Sequence, residues 1–290
     1  MLTAAVRDLK HEIPSIRIGV STSAGELWAG NPHIDRSVTA ENADRVIDLE
    51  YPLIHQSDRL PYHFIHAFRK ELQLQLGLRI PQGEFRGDLH LSEEERTPHP
   101  LLNGVKDYWI IDAGYKLDFT LKNWGHARYR RVVELLAGQV QFVQIGASEH
   151  RHTALPGVID LIGKTKIRDL IRIMYGAAGV LTPVSFPMHL AAAVPTADGR
   201  LRPCVVVAGA REPSTWEAYP GHVFLHNVGA FDCCRKKACW RSRAVPLGDQ
   251  GDRSLCAHPV TDNGESVGRC MAAITPEVVA GIIEMYHFNR

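Results

Sequence analysis

Residues 181–194, LTPVSFPMHLAAAV, set Ser185 and His189 on either side of a proline at the start of an alanine-rich stretch. The pattern predicts a strand-like approach, a turn, and then a small-residue helix with His189 in its first turn. Free N–H groups and the helix dipole at such an N-terminus favour an anion such as a phosphate. Ser185 could add a hydroxyl donor and His189 an imidazole donor, while Ala191, Ala192 and Ala193 would let the helix pack close to a sheet. The competing reading is structural: Ser185 caps the helix and His189 satisfies a nearby carbonyl.

The cysteines form a second group with chemistry in reach. Cys204 stands alone in an apolar run, whereas Cys233, Cys234, Cys239, Cys256 and Cys270 crowd the last quarter of the chain. In a cytoplasmic chain of this size such clustering favours a metal over a disulfide framework. Four thiolates at loop-length separations can close tetrahedrally on zinc or iron, with the intervening Gly, Pro and Asp supplying turns. Cys234, Cys239, Cys256 and Cys270 are the expected ligands, with Cys233 the alternative first one. The spacing is looser than a CxxC…CxxC pattern, and isolated buried thiols are the competing reading. With no open coordination position implied, the metal would be structural.

These groups need elements to hold them. The chain has 290 residues, 45% of them hydrophobic, enough for one large core or two ordinary ones, and two domains are expected. Its 33 basic and 32 acidic residues leave a formal net charge of +1. No global field therefore invites nucleic acid or an anionic membrane, and any anion site must be local. No apolar run approaches the length of a bilayer-spanning helix, and MLTAAVRDLKHEIP lacks the marks of a secretory signal. A soluble cytoplasmic protein is the expectation.

Along the chain, helical and strand periods alternate. Leu2, Ala5, Val6, Leu9 and Ile13 repeat at helical spacing up to Pro14, and IRIGV (16–20) follows as a strand. DRVIDLEYP (44–52) reads as another strand, and 62–78 as an amphipathic helix with Phe64, Ile65, Phe68, Leu72 and Leu76 on one side. Residues 79–104 are polar, with Pro and Gly, and read as a linker or domain edge. Alternation resumes at DYWIIDAG (107–114), with helices at 127–138 and 166–178 and strands at 139–146, 157–163, 179–181, 204–209 and 222–227. A terminal helix starts with Thr275 as N-cap and Pro276 at the first position. This is the signature of a parallel sheet flanked by helices. Two consecutive α/β halves suggest two Rossmann-like domains facing a cleft, where ligands sit beyond the carboxyl ends of the strands. The expected division is 1–103 and 104–290, the second part carrying the cysteine-rich segment at about 230–271.

Several ordered pieces resemble glycosyltransferase family 9, typified by ADP-heptose heptosyltransferases. ELWAGNPHIDR looks like that family's NP turn. DAGYKLDFTLKNWGHARYRRVVELL resembles the strand, loop, Lys-x-Trp and helix that open its donor domain, and VQFVQIGASEH the next strand. LPGVIDLIGKTKIRDLIRIMYGAAGVLTPVSFPMHLAAAV resembles the segment leading to the donor-binding histidine. The resemblance implies a glycosyltransferase B fold, with an acceptor-side N-terminal domain and a donor-binding C-terminal domain. It also implies inverting transfer from a nucleotide sugar, usually ADP-activated heptose, without a catalytic metal. Lys122 matches the lysine that meets the donor diphosphate, where a cation stabilises the charge that the leaving group gains. Thr120 in the same loop could donate a hydroxyl to a phosphate oxygen, and Ser185 and His189 match the turn and the histidine at the donor. A similar cysteine cluster occurs in the branch that heptosylates autotransporter proteins, where it binds iron.

Two departures accompany the resemblance. Val184, Ser185 and Phe186 stand where most members carry an acidic residue, a small residue and Gly, so a carboxylate that would contact the transferred sugar is absent. In the family, a first strand ending in Gly-Asp precedes a helix similar to LTAAVRDL, and that Asp is the general base. Here Met1 leads directly into the helix. The expectation is an N-terminal domain lacking its first strand, through a truncated start, and no assigned catalytic residue. Asp35, Asp58 and Asp112 could substitute as base, and Arg59, His63 and His66 are candidates for the acceptor side.

Two functions stay open. One is a transferase moving heptose from an ADP-sugar to a lipopolysaccharide or protein hydroxyl, cytoplasmic and peripheral to the inner membrane. The other is a non-catalytic nucleotide-sugar-binding or assembly protein. The expected partners are a nucleotide-sugar donor and a glycan or protein acceptor, with no nucleic acid. Further copies of the chain are a partner left open.

Overall fold

The computed structural model describes residues 1–49, 60 and 62–289. Besides a two-stranded antiparallel sheet (Pro259–Asp262 and Glu265–Gly268), six parallel strands form its main sheet: β1 (Tyr108–Asp112), β2 (Gln141–Ile145), β3 (Ile159–Asp160), β4 (Gly179–Pro183), β5 (Cys204–Gly209) and β6 (His222–His226). Their order is β3-β2-β1-β4-β5-β6, so the chain runs outward from β1 to one edge and then, through β4, to the other. The strand order reverses between β1 and β4, and a crevice opens at such a point because the following loops diverge to opposite sides.

Both faces of the sheet are covered, which explains the near-continuous apolar strands. Trp109, Ile111, Phe142, Leu181, Val205 and Val207 point into one core, against Val132 of α3 (His126–Leu135) and Val279 and Ile283 of the terminal helix Pro276–Phe288. Tyr108, Ile110, Val143, Val180 and Val206 point into the other, with Met174 of α4 (Ile167–Gly176) and Met188 and Ala191 of α5 (Phe186–Ala193). Alternate residues of each strand serve alternate faces because the pleat has a period of two. The buried Arg202 guanidinium donates to the carbonyls of Ala177 (3.2 Å), Ala191 (3.0 Å) and Val194 (2.9 Å). It thereby satisfies the last carbonyls of α4 and α5 together and fixes where α5 lies. Thr275 caps the terminal helix by accepting from the Val278 N–H, as its sequence predicts.

The N-terminal part departs from expectation. Among the described residues before 108 there are two α-helices, α1 (Leu2–Glu12) and α2 (Ile65–Leu76), with short 3-10 turns and no strand. IRIGV and the described part of DRVIDLEYP are not strands. Ile16, Ile18, Ile47 and Leu49 instead pack against Ala5 and Leu9 of α1 and Leu72 of α2. Their alternation satisfies burial without a neighbouring ladder, and a strand exists only where backbone groups find one. The expected linker is also not loose. Arg168 of α4 forms an ion pair with Glu95 and donates to the His90 carbonyl at 2.9 Å, and Arg172 donates to Thr97 and Pro98 carbonyls at 3.0 and 2.9 Å. Leu89 and Leu91 pack on the sheet's second core.

Candidate functional site

The ends of β1 and β4 bring together Asp112, Lys122 and Ser185 from among the predicted residues. Ser185 stands at the N-cap of α5 but makes no capping bond with its side chain. Its hydroxyl donates to Asp112 Oδ2 at 2.8 Å and lies 2.9 Å from the Thr182 hydroxyl. The capping reading is therefore corrected: a carboxylate at the end of β1 competes for the proton, and the first turn of α5 keeps its N–H groups uncapped by that side chain. Asp112 is buried, and burial raises its pKa above the usual carboxylate range, against the opposing pull of His152 and of bonds from Ser185, the Gly114 N–H and Thr182. His152 fits between the ends of β1 and β2 only because both following loops carry glycine. A Cβ on Gly114 would lie 2.0 Å from its ring, and one on Gly146 2.5 Å.

Lys122 reaches the same crevice from the loop after β1. Its ammonium donates to the Val184 carbonyl at 3.1 Å, one residue before the α5 cap, and lies 3.2 Å from Glu212 beyond the end of β5. Burial lowers its pKa to about 8, with Arg211 pushing the same way and Glu217 and Asp118 opposing. The loop holding it is anchored by Trp124, which is fully buried and donates its indole N–H to the Ile274 carbonyl at 2.9 Å. A lysine against a helix N-terminus adds positive potential to positive potential, offset here by the buried Glu212 and Glu217 carboxylates.

His189 is brought to Tyr219, its Nδ1 lying 3.1 Å from the Tyr219 hydroxyl. Among the described residues its partner is this hydroxyl and not a backbone carbonyl. Burial holds its pKa well below the usual histidine range, and the nearby Lys122 ammonium adds to that shift, so the imidazole is neutral. His63, 7% exposed, packs on the other side of Tyr219 with ring centroids 4.8 Å apart, so this acceptor-side candidate joins the His189 cluster. Burial lowers its pKa to about 4. His66 lies next to it, half-buried, with Nδ1 3.1 Å from Arg69.

Other candidates fall elsewhere. Thr120 is 2% exposed, and its hydroxyl oxygen accepts from the Ala244 and Val245 N–H groups at 2.9 and 3.3 Å, so it fastens the cysteine-rich segment to the Lys122 loop. Asp35 forms an exposed ion pair with Arg17 and accepts from Ser37, away from the crevice. Asp58 and Arg59 lie outside the described residues. Val184 is buried in the second core and offers only its carbonyl. Sequence reasoning missed Arg211, Glu212 and Glu217, which form a buried charged group behind Lys122, with Arg211 paired to Glu212 and stacked 5.0 Å from the Phe119 ring centre. Three acids and bases within seven residues, directly after the apolar strand CVVVAG, were the signal available.

The clustered cysteines come together beside the first core, all as free thiols, with Cys234 and Cys270 buried, Cys239 and Cys256 half-buried and Cys233 exposed. Cys270 accepts backbone N–H bonds from Ala210 and Met271, Cys239 from Arg241, and Cys256 from His258 at 3.4 Å, whereas Cys234 Sγ donates to the Asn227 and Phe231 carbonyls at 3.4 Å each. Among the described residues no three of these thiols approach within 4.8 Å of one another; His33, Asp88 and His90 do so with their ligand atoms.

The profile of glycosyltransferase family 9 (heptosyltransferase) matches residues 40–222. No curated protein matches the chain. Among solved structures, the iron-containing dodecameric glycosyltransferase TibC from enterotoxigenic E. coli is similar at 17% identity and TM-score 0.61, over 98% of this chain and 71% of that one. A glycosyl transferase family 9 protein from Veillonella parvula is similar at 14% identity and TM-score 0.54, over 80% and 62%. The E. coli ADP-heptose lps heptosyltransferase II is similar at 15% identity and TM-score 0.51, over 84% and 64%. The chain thus spans less than two thirds of the length of the last two. At these identities the likeness is one of fold, the α/β architecture of glycosyltransferase B type.

Proposed function

We propose that this chain, which belongs to glycosyltransferase family 9, binds a nucleotide diphosphate sugar of the ADP-heptose class between β1 and β4 and transfers its sugar, with inversion, to a hydroxyl of a glycan or protein. The observation that carries this reading is the Lys122 ammonium held 3.1 Å from the Val184 carbonyl at the N-terminus of α5. Departure of a nucleoside diphosphate leaves negative charge on the phosphate oxygens, and donors already aimed at that position lower the barrier without reorganising. Lys122 supplies the mobile cation and the first turn of α5 supplies backbone N–H groups, which Ser185, its own hydroxyl donating to Asp112, leaves uncapped. With the Tyr219 hydroxyl donating to Nδ1, neutral His189 keeps an Nε2 proton for a phosphate oxygen. Thr120 acts in this reading by holding the loop. Residues 1–103 form the acceptor side and residues 104–290 the donor side.

The same proposal includes a structural iron or zinc held by Cys234, Cys239, Cys256 and Cys270, with Cys233 as the alternative to Cys234. The thiols are not a preformed site: among the described residues no three approach within 4.8 Å, and Cys234 Sγ–H donates to the Asn227 and Phe231 carbonyls at 3.4 Å each. Binding therefore requires the segment to draw together and Cys234 to turn, while Gly209 leaves room that a Cβ, 3.2 Å from Cys270 Sγ, would take. Burial raises the Cys239 and Cys270 pKa values, so both are neutral thiols until a cation displaces their protons. Such a metal would brace the segment that Thr120 ties to the Lys122 loop, and no chemical step passes through it. Assembly into a homo-oligomer and a cytoplasmic position at the inner membrane belong to the proposal; no helix of the described residues is long and apolar enough to cross a membrane.

A second reading rests on Val184. With valine at the position where most of the family carries an acidic residue, the site would bind the nucleotide and not turn it over, as a binding or assembly subunit. Calorimetric titration of the chain with ADP-heptose, ADP and UDP, beside Lys122→Ala, tests both. Selective binding of the adenine ligands that the variant loses supports the donor site, and sugar release to an added acceptor separates transferase from binder. Absence of binding to folded chain overturns the proposal.

A further inference from the structure

Away from the crevice, three residues from two distant segments converge. His33 follows the NP turn, Asp88 and His90 lie in the segment before the sheet, and one ligand atom from each lies within 4.8 Å of the others. His90 Nε2 is 3.0 Å and His33 Nε2 3.6 Å from the same atom, Asp88 Oδ2, which also accepts from Asn31 Nδ2 at 3.2 Å. One carboxylate oxygen offers two lone pairs, so three nitrogens around it are more than hydrogen bonding can serve, and His33 stands beyond hydrogen-bond reach while still aimed there. For metal–ligand bonds of about 2.0–2.1 Å in a tetrahedron, ligand atoms stand about 3.3 Å apart. The two imidazole–carboxylate distances bracket that edge.

The arrangement is braced before any ion arrives. The buried Asn31 amide accepts from the His33 N–H at 2.8 Å, which folds the turn so that His33 comes back over Asp88. The Asp88 N–H donates to Thr3 Oγ1 of α1 at 2.9 Å. Arg7 of α1 holds the approach by donating to the Glu84 and Arg86 carbonyls at 2.7 and 3.2 Å. His33 and Asp88 have side chains only 16% and 15% exposed, and His90 is 33% exposed, so one side remains open to solvent.

We propose that His33, Asp88 and His90 form a binding site for a divalent transition-metal ion of the zinc class, with a water completing its coordination, separate from the cysteine cluster. Two imidazoles and one carboxylate suit a borderline ion, whereas calcium and magnesium take oxygen ligands. The ion pins the NP turn to the 84–90 segment and through it to α1, joining three pieces that no sheet connects.

The test is titration of the metal-stripped full chain with zinc chloride and with cobalt chloride, beside His33→Asn and His90→Gln. The site predicts one more equivalent for the wild type than for either variant. It also predicts that the bound cobalt of that equivalent lacks thiolate-to-metal charge-transfer absorption, and that affinity in the variants falls more than about 100-fold, beyond the loss from an outer-shell partner. Magnesium chloride should not compete. Equal stoichiometry in wild type and variants, or loss of the extra equivalent on blocking the thiols, overturns the proposal. Should a variant fail to fold, the imidazole nitrogen resonances of the wild type decide: zinc shifts two histidines to the coordinated range, or it shifts none and the site is refuted.

Discussion

The Ser185 hydroxyl donates to Asp112 Oδ2 across 2.8 Å, tying the end of β4 to the end of β1 at the point where the strand order reverses. In the proposed site Asp112 is a positioning residue: by accepting the Ser185 hydrogen bond it leaves the first turn of α5 uncapped by that side chain. Asp112→Ala leaves the Ser185 and Thr182 hydroxyls without their buried partner, and should lower the unfolding free energy by about 1–3 kcal/mol. Asp112→Asn keeps the shape and should lose less. Urea midpoints of the two variants against wild type give the comparison, and an unchanged midpoint for Asp112→Ala would remove the positioning role.

Lys122 has a pKa lowered to about 8. The ammonium is the form that attracts a diphosphate, so ADP affinity should be flat below about pH 7.5 and weaken as pH rises through 8, well before an ordinary lysine titrates. The stability sign is opposite: the folded state holds the proton less tightly than the unfolded chain, so stability rises as pH climbs from about 8 towards 10.5. Lys122→Arg should abolish the alkaline loss of ADP binding. Titrations at pH 7 and 9 on both chains check it.

Tyr219→Phe removes the hydroxyl 3.1 Å from His189 Nδ1 and keeps the ring. Donor affinity should fall about two- to tenfold, the worth of one neutral hydrogen bond, with the melting temperature nearly unchanged. A large loss of stability with unchanged affinity would show that the pair is only structural.

His63 is held to a pKa of about 4 by burial. Between pH 6.5 and 4 the unfolded chain binds the proton and the folded one does not, so stability falls as pH drops through that window and is constant above it. The loss approaches about 3 kcal/mol at full protonation. His63→Phe fills the same aromatic cluster without titrating and should flatten the acid limb, read from urea midpoints at pH 5 and 7.

Removing the proposed metal with a chelator should free the clustered thiols for alkylation while Cys204, fully buried in β5 with its thiol pKa pushed up, stays unreacted. If the ion is present at about 100 times its dissociation constant, its loss costs about 2.7 kcal/mol. Mass spectrometry of alkylated peptides with and without chelator reads both sides. Equal labelling in the two conditions would argue that the cysteines hold nothing.

Sequence by itself determined the half of the chain that carries the parallel sheet. Strands such as YWIID and CVVVAG, the helices between them and the caps at Thr275 and Pro276 are encoded by periods and capping residues a few positions apart, so they are legible locally. The same locality marked Ser185 and His189 as neighbours of a strand end, whereas Lys122 was marked by the resemblance to the family's Lys-x-Trp loop. Tertiary structure alone decided what each of them touches. Ser185 chooses Asp112 over its own helix, and His189 chooses Tyr219 over a carbonyl, because partners 73 and 30 residues away arrive at better geometry than the local backbone offers. The N-terminal strands failed for the matching reason: alternation predicts which side is buried, but a strand also needs a neighbour, and none of the described residues supplies one. His33, Asp88 and His90 carry no common motif in the chain; only the packing of a turn and a distant segment onto α1 brings them to one point.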